Sequence, residues 1–127
     1  MTRNLDKTPV KAGKTEVDGS IKNMTTKSKI VFIIPETDNS GKAFSKELFG
    51  WIDRSLCDLG GGFHYHPVYG GWVNYKGVVQ CENCRKYHVG IDEKEVSNLF
   101  QLLVKVKEIF QQDGLYIEYE GQIVILE

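Results

Sequence analysis

Two stretches of the chain hold the side chains capable of chemistry, "FHYHPVYGGW" (63–72) and "CENCRKYH" (81–88). All three histidines, His64, His66 and His88, fall there, with Cys81, Cys84, Arg85 and Lys86 beside them. Three kinds of chemistry suit the set. A transition metal would take His64, His66 and His88 with Cys84, since zinc accepts such nitrogen and sulfur ligands tetrahedrally. The C-x2-C-x3-H spacing of "CENCRKYH" has the look of half a zinc knuckle. A small anionic or nucleotide-like ligand would be held by His64, His66, Lys86 and Arg85, with Trp72 or Tyr69 stacked on a ring. In the third case the histidines are ordinary residues of an open sheet face, placed in a homodimer seam.

Other candidates carry less. Cys57 follows Leu56 on a helical apolar stripe and reads as a core filler. Cys84 and His88 lie about 13 Å apart on a regular strand, too far for proton transfer within a dyad. Glu36 and Asp38 in "PETDNSG" form an acid pair, but Asp and Asn are also turn residues. Gly60-Gly61-Gly62 ends a helix rather than starting one, which argues against a phosphate loop.

The turn "VNYKGV" (73–78) fixes how these stretches face each other. A three-residue loop Tyr75-Lys76-Gly77 with glycine last suits a type I turn plus bulge. It pairs Asn74 with Val78, and hence His66 with Lys86 and His64 with His88. Side chains alternate along strands, so His64, His66, Cys84, Lys86 and His88 share one face. Phe63, Tyr65, Tyr87, Val89 and Ile91 take the other, apolar face. Directly paired Cβ atoms lie about 4.5–5.5 Å apart, close enough for imidazoles to act together. Pro67, Gly70 and Gly71 are the weak points, because one bulge there would flip every side chain beyond it.

The elements that must position this hairpin are legible around it. "KIVFIIP" (29–35) is a continuous β-branched run, the pattern of a buried central strand. Phe44, Leu48, Trp51, Ile52, Leu56 and Leu59 recur at helical spacing, with Ser45 as N-cap and a Phe44–Phe49 staple. Gly50 inside that helix reads as a close approach to the sheet. A second helix carries Val96, Leu99, Phe100, Leu103, Val106 and Phe110, opened by an Asp92/Glu95 capping box. "LYIEYEGQIVILE" reads as a hairpin turning at Glu120-Gly121. The order is β-α-β-β-α-β with an extra C-terminal strand. That is an α+β, ferredoxin-like antiparallel sheet with two helices on one face and the other face open.

The 127 residues, 41% hydrophobic and 26% charged, suit one globular domain. No apolar run approaches the roughly 18 residues of a membrane span, and the N-terminus has no apolar signal region. With an odd number of cysteines, three, the expectation is a reducing, cytoplasmic location without a disulfide framework. The net charge of −1 hides an asymmetry. Residues 1–29 carry seven Lys/Arg against three Asp/Glu, and residues 30–127 carry nine against fourteen. Residues 1–29 therefore read as a disordered basic tail and 30–127 as the domain. An acidic body disfavours duplex DNA as the primary partner.

"IPETDN" (34–39), "GGF" (61–63), "GGW" (70–72) and "FQQDGLY" (110–116) together resemble a small bacterial family of ferredoxin-like domains. Its outline is an Ile-Pro-x-Thr-Asp-Asn loop, a Gly-Gly-Phe lead into the second strand, a Gly-x-Trp hairpin and a Phe-x-Gln-x-x-Leu-Tyr ending. The resemblance spans residues 30 to about 120 and implies the fold. It carries no activity, and no catalytic residue transfers. Cys81 and Cys84 fall outside its motifs, which counts against an essential metal there.

The expectation is therefore a small-ligand-binding or interaction module, homodimeric, without a cofactor unless zinc sits among the histidines. Its ligand residues would be His64, His66, Tyr69, Trp72, Arg85, Lys86 and His88. Two alternatives stand beside it. One is an enzyme of the dimeric α+β barrel type using histidine as acid or base. The other is a module that captures a partner protein along a sheet edge.

Overall fold

The apolar run near the start becomes β1 (Ser28–Pro35), which lies between β3 and β4. Ile30, Phe32 and Ile34, on the side that the helices cover, are 0% exposed, and Val31 on the other side is 1% exposed between the flanking strands. The computed structural model describes residues 23–127; the expected tail lies, over residues 1–22, outside the described residues. Beyond β1 come α1 (Lys46–Asp58), β2 (Gly62–Val73), β3 (Val79–Ile91), α2 (Val96–Ile109), β4 (Leu115–Tyr119) and β5 (Gln122–Leu126). A short 3-10 turn, Glu93–Glu95, leads into α2. The five strands form one antiparallel sheet ordered β2-β3-β1-β4-β5.

Both helices pack on the same side of it. Ile30, Phe32 and Ile34 of β1, Tyr87, Val89 and Ile91 of β3, and Leu115 and Ile117 of β4 meet Phe49, Ile52 and Leu56 of α1 and Leu99, Leu103 and Val106 of α2. The alternate residues of each strand face away from the helices, and no helix among the described residues covers them. In this way the sequence period of two creates an open face.

Local chemistry explains the element ends. Ser45 Oγ accepts from Leu48 N at 3.2 Å and caps α1. At the other end Gly61 N donates to Leu56 O and Gly60 N to Cys57 O, the paired bonds that close a helix through a left-handed glycine. Glu120 and Gly121 both have positive φ, 52° and 74°, so β4 and β5 join through a tight turn whose twist matches the strands.

Four local expectations are corrected. Phe44 and Phe49 do not staple to each other; both rings pack on Phe110, at 4.5 and 5.5 Å between centroids. A Cβ at Gly50 would meet nothing within 4 Å, so no close approach to the sheet requires that glycine. Cys57 is exposed, because it lies one position off the stripe that buries Leu56. Asp92 makes no capping hydrogen bond; its Oδ1 accepts instead from Lys27 Nζ at 2.8 Å, a contact 65 residues away in sequence.

Candidate functional site

The β2–β3 hairpin sets the geometry. Asn74 N donates to Val78 O and Gly77 N to Asn74 O, both at 2.9 Å, while Asn74 Oδ1 accepts from Lys76 N and Val78 N. Gly77 sits at φ 78°, a conformation open to glycine at little cost. From this turn the ladder runs unbroken to Gly62↔Gly90, pairing His66 with Lys86 and His64 with His88 as the turn arithmetic requires. The glycine pair produces no bulge: Gly70 opposes Glu82 and Gly71 opposes Cys81. Pro67 is accommodated because β2 is an edge strand. With Asn74 and Val78 hydrogen-bonded, Pro67↔Arg85 falls on a non-bonded pair, where the missing N–H would have faced outward.

His64, His66, Lys86 and His88 therefore come together on the open face. The rings of His64 and His88 stack with centroids 4.7 Å apart and planes 7° apart; His66 and His88 follow at 5.1 Å and 23°. Stacked rings present their faces to one another, so their nitrogens do not converge on a point. Among the described residues no group of three or more His, Cys, Asp or Glu is placed to hold a metal ion. Cys81 and Cys84 stand on opposite faces of a regular strand, one exposed and one buried, so the knuckle-like spacing forms no clamp.

His88 Nε2 is buried and has no hydrogen-bond partner. Burial pushes the His88 imidazole below its ordinary value, and the charges of His64, His66, Lys86 and Lys29 push the same way. A histidine depressed in the folded state makes the unfolded chain the better proton acceptor. Stability is then full above the ordinary value of 6.5 and is lost as pH falls below it. The thermal midpoint should accordingly fall between pH 7.5 and about 5.5, and His88→Gln should flatten that slope in a melting series.

Arg85 and Tyr69 part from this group. Both have odd numbers in strands whose even positions face outward, so they lie on the helix side. The Arg85 guanidinium is sandwiched between the rings of Phe49 (3.9 Å) and Tyr65 (4.6 Å), and its Nε meets Glu36 Oε2 at 3.2 Å. Its side chain packs on the face opposite the histidines, apart from the other expected ligand residues there. Tyr65 takes the apolar side as its parity demands, 5.2 Å from Tyr87, yet on the edge strand β2 it stays 43% exposed. Tyr87 itself stacks on Phe32 at 4.9 Å and donates to Asp53 Oδ1 at 2.9 Å. The acid pair dissolves too. Glu36 serves Arg85, and Asp38 Oδ1 accepts from Ser40 N, Ser40 Oγ and Lys42 N, bonds that hold its carboxyl below the usual range.

Trp72 lies on the open face and lines a cleft of about 680 Å³. The cleft opens between the outer half of the β2–β3 hairpin and the segment 111–114 that follows α2. Ile33, Pro35, Cys84, Tyr116 and Ile125 form its apolar floor; Trp72 and Tyr75 supply aromatic walls; Asn39, Asn74, Gln80 and Glu82 supply polar groups. Burial raises the Glu82 carboxyl above its usual value. Sequence reading missed Tyr116, although the alternation in "LYIEY" turns it outward once Leu115 and Ile117 are buried. It missed Glu82 although the parity of Cys84 already placed it there.

Cys84 is 4% exposed, and its thiol donates to Glu82 O at 3.7 Å. Burial pushes it up to about 11, helped by the carboxylates of Glu82 and Glu36. It is a wall of the cleft and a poor nucleophile. In native protein at pH 8, iodoacetamide should label the exposed Cys57 and Cys81 within minutes and leave Cys84 unmodified until denaturant is added. Prompt labelling of all three by mass spectrometry would refute that burial.

No helix among the described residues is long and apolar enough to cross a membrane. No protein-family model and no curated protein matches the chain. Among solved structures the chain is similar to a phage SAM lyase in complex with S-methyl-5′-thioadenosine. The TM-score is 0.60 at 11% identity, over 81% of this chain and 89% of that one. At that identity the likeness is one of fold.

Proposed function

We propose that the chain is a ferredoxin-like ligand-binding domain whose open-face cleft takes a small nucleoside-like molecule. The ferredoxin-like assignment is supported by the strand order β2-β3-β1-β4 with both helices on one face, β5 being an addition at the edge. The observation that carries the functional reading is the cleft itself. Its volume of about 680 Å³ lies within the range of small-molecule sites, and its lining combines apolar and aromatic side chains with a few polar groups. Trp72 and Tyr116 offer flat faces to a heterocycle, and the Glu82 carboxyl offers an acceptor to an amine or hydroxyl of the ligand. The structural neighbour was captured with a nucleoside thioether, which makes that compound the natural first probe.

The test is a titration with S-methyl-5′-thioadenosine and adenosine, followed by calorimetry and by Trp72 emission in a Trp51→Phe background. Saturable quenching with a one-to-one heat supports the reading. Absence of both at millimolar probe removes it.

A homodimer through the sheet edge is favoured by a separate feature. β5 ends the sheet with Ile123, Val124 and Ile125 exposed by 63%, 37% and 52%, and residues 122–126 include no charge or proline to guard the edge. Light scattering of the wild type and of Val124→Lys should give a dimer and a monomer; a wild-type monomer would discard this arrangement.

A further inference from the structure

The histidine strip lies outside the cleft lining, and its charge is unusual for this molecule. Residues 29–127 carry ten basic against fourteen acidic side chains, yet the open face gathers Lys29, Lys86, His64, His66 and His88. Lys29, Lys86, His64 and His66 all act on His88 as charges of like sign. Glu118 of β4 faces them, 3.6 Å from Lys86 Nζ and bonded to Tyr116 Oη at 2.9 Å. Protonation of the imidazoles adds positive charge beside Lys86 and Lys29. His64 and His66 are exposed, so an anion reaches them without any rearrangement.

We propose that the strip formed by His64, His66, His88, Lys86 and Lys29 is an oxyanion site for the phosphate of a phosphorylated nucleoside, strengthened as the imidazoles take up protons. The oxyanion site stands on its own geometry; its attachment to a nucleoside rests on the cleft reading above. Strip and cleft are contiguous. Lys86 lies two residues along β3 from Cys84 of the cleft floor, about 7 Å away, and Tyr116 of the floor is linked through Glu118 to Lys86. A ligand with its ring over Tyr116 and its phosphate toward Lys86 would touch both. Without an anion, protonation sets like charges against one another along the stack. A bound oxyanion removes that penalty, so binding must draw in protons and tighten as pH falls.

Sulfate is the probe for the strip, because its double charge does not change between pH 7.5 and 5.5. Its effect on the melting temperature is compared with sodium chloride at equal ionic strength, which isolates screening. The stabilisation by sulfate over chloride should grow toward pH 5.5 and vanish in the double variant His64→Gln/His66→Gln, whose substituted positions are exposed and should leave the unliganded fold intact. Equal effects of sulfate and chloride, or a sulfate effect that persists in the variant, overturn the site. At pH 6.5 adenosine 5′-monophosphate should bind about tenfold more tightly than adenosine to the wild type and equally to the variant. Equal binding of the two to the wild type overturns this inference and leaves the cleft reading standing. A sulfate effect without adenosine binding supports the oxyanion site and removes the cleft reading.

Discussion

Phe32→Ala is expected to destabilise the domain by about 3–5 kcal/mol, the largest effect of any single substitution considered. Phe32 is fully buried at the centre of β1 and stacks almost parallel on Tyr87, 8° between planes, itself held by Asp53. Truncation opens a cavity between the sheet and both helices and removes the ring stacked on Tyr87, leaving only its tilted contacts with Tyr65 and Phe63. For a domain of this size the melting temperature should fall by about 15–30 °C. Because total stability is about 5–15 kcal/mol, a good part of the population should unfold at physiological temperature. A drop below about 5 °C would mean that Phe32 is not at the centre of the core.

The second large effect separates binding from packing. Trp72 is 41% exposed and Arg85 is locked between Phe49 and Tyr65, so their alanine variants should behave in opposite ways. Trp72→Ala should lose about tenfold or more of the affinity for S-methyl-5′-thioadenosine, the worth of one base–aromatic stack, with an unchanged melting temperature. Arg85→Ala should lower stability by about 2 kcal/mol, since it removes two ring contacts and strands Glu36 Oε2, and leave affinity within twofold. If Arg85→Ala abolishes binding while the fold survives, the division of the hairpin into a packing face and a binding face is wrong.

The division of the hairpin into a helix-packed face and an open face was legible in the sequence, although Arg85 and Tyr69 were expected among the ligand residues. "VNYKGV" carries the turn chemistry that sets the hairpin register, and strand parity then fixes which side every residue takes; His64 facing His88 follows from six residues. The buried run of β1 and the Ser45 cap were equally local signals. Other features escaped because they depend on partners distant in sequence. Asp92 looks like a cap until Lys27 is seen beside it. Arg85 looks free until Phe49, Tyr65 and Glu36 converge on it from three other segments. The cleft could not be read at all, since its walls come from β1, the hairpin, the turn after α2, β4 and β5, and no short motif records how they meet. Cys84 shows the same limit: its parity was right, but its burial on the nominally open face comes from that enclosure.

The central proposal is that a ligand binds on the face turned away from the helices. Nitrogen-15 correlation spectra recorded during titration with S-methyl-5′-thioadenosine test it directly. Shifts should concentrate at the Trp72 indole and the amides of Gln80, Glu82, Cys84 and Tyr116, with those of α1 and the outer surface of α2 unmoved. Shifts confined to the helices, with the Trp72 indole signal stationary at saturation, would contradict it.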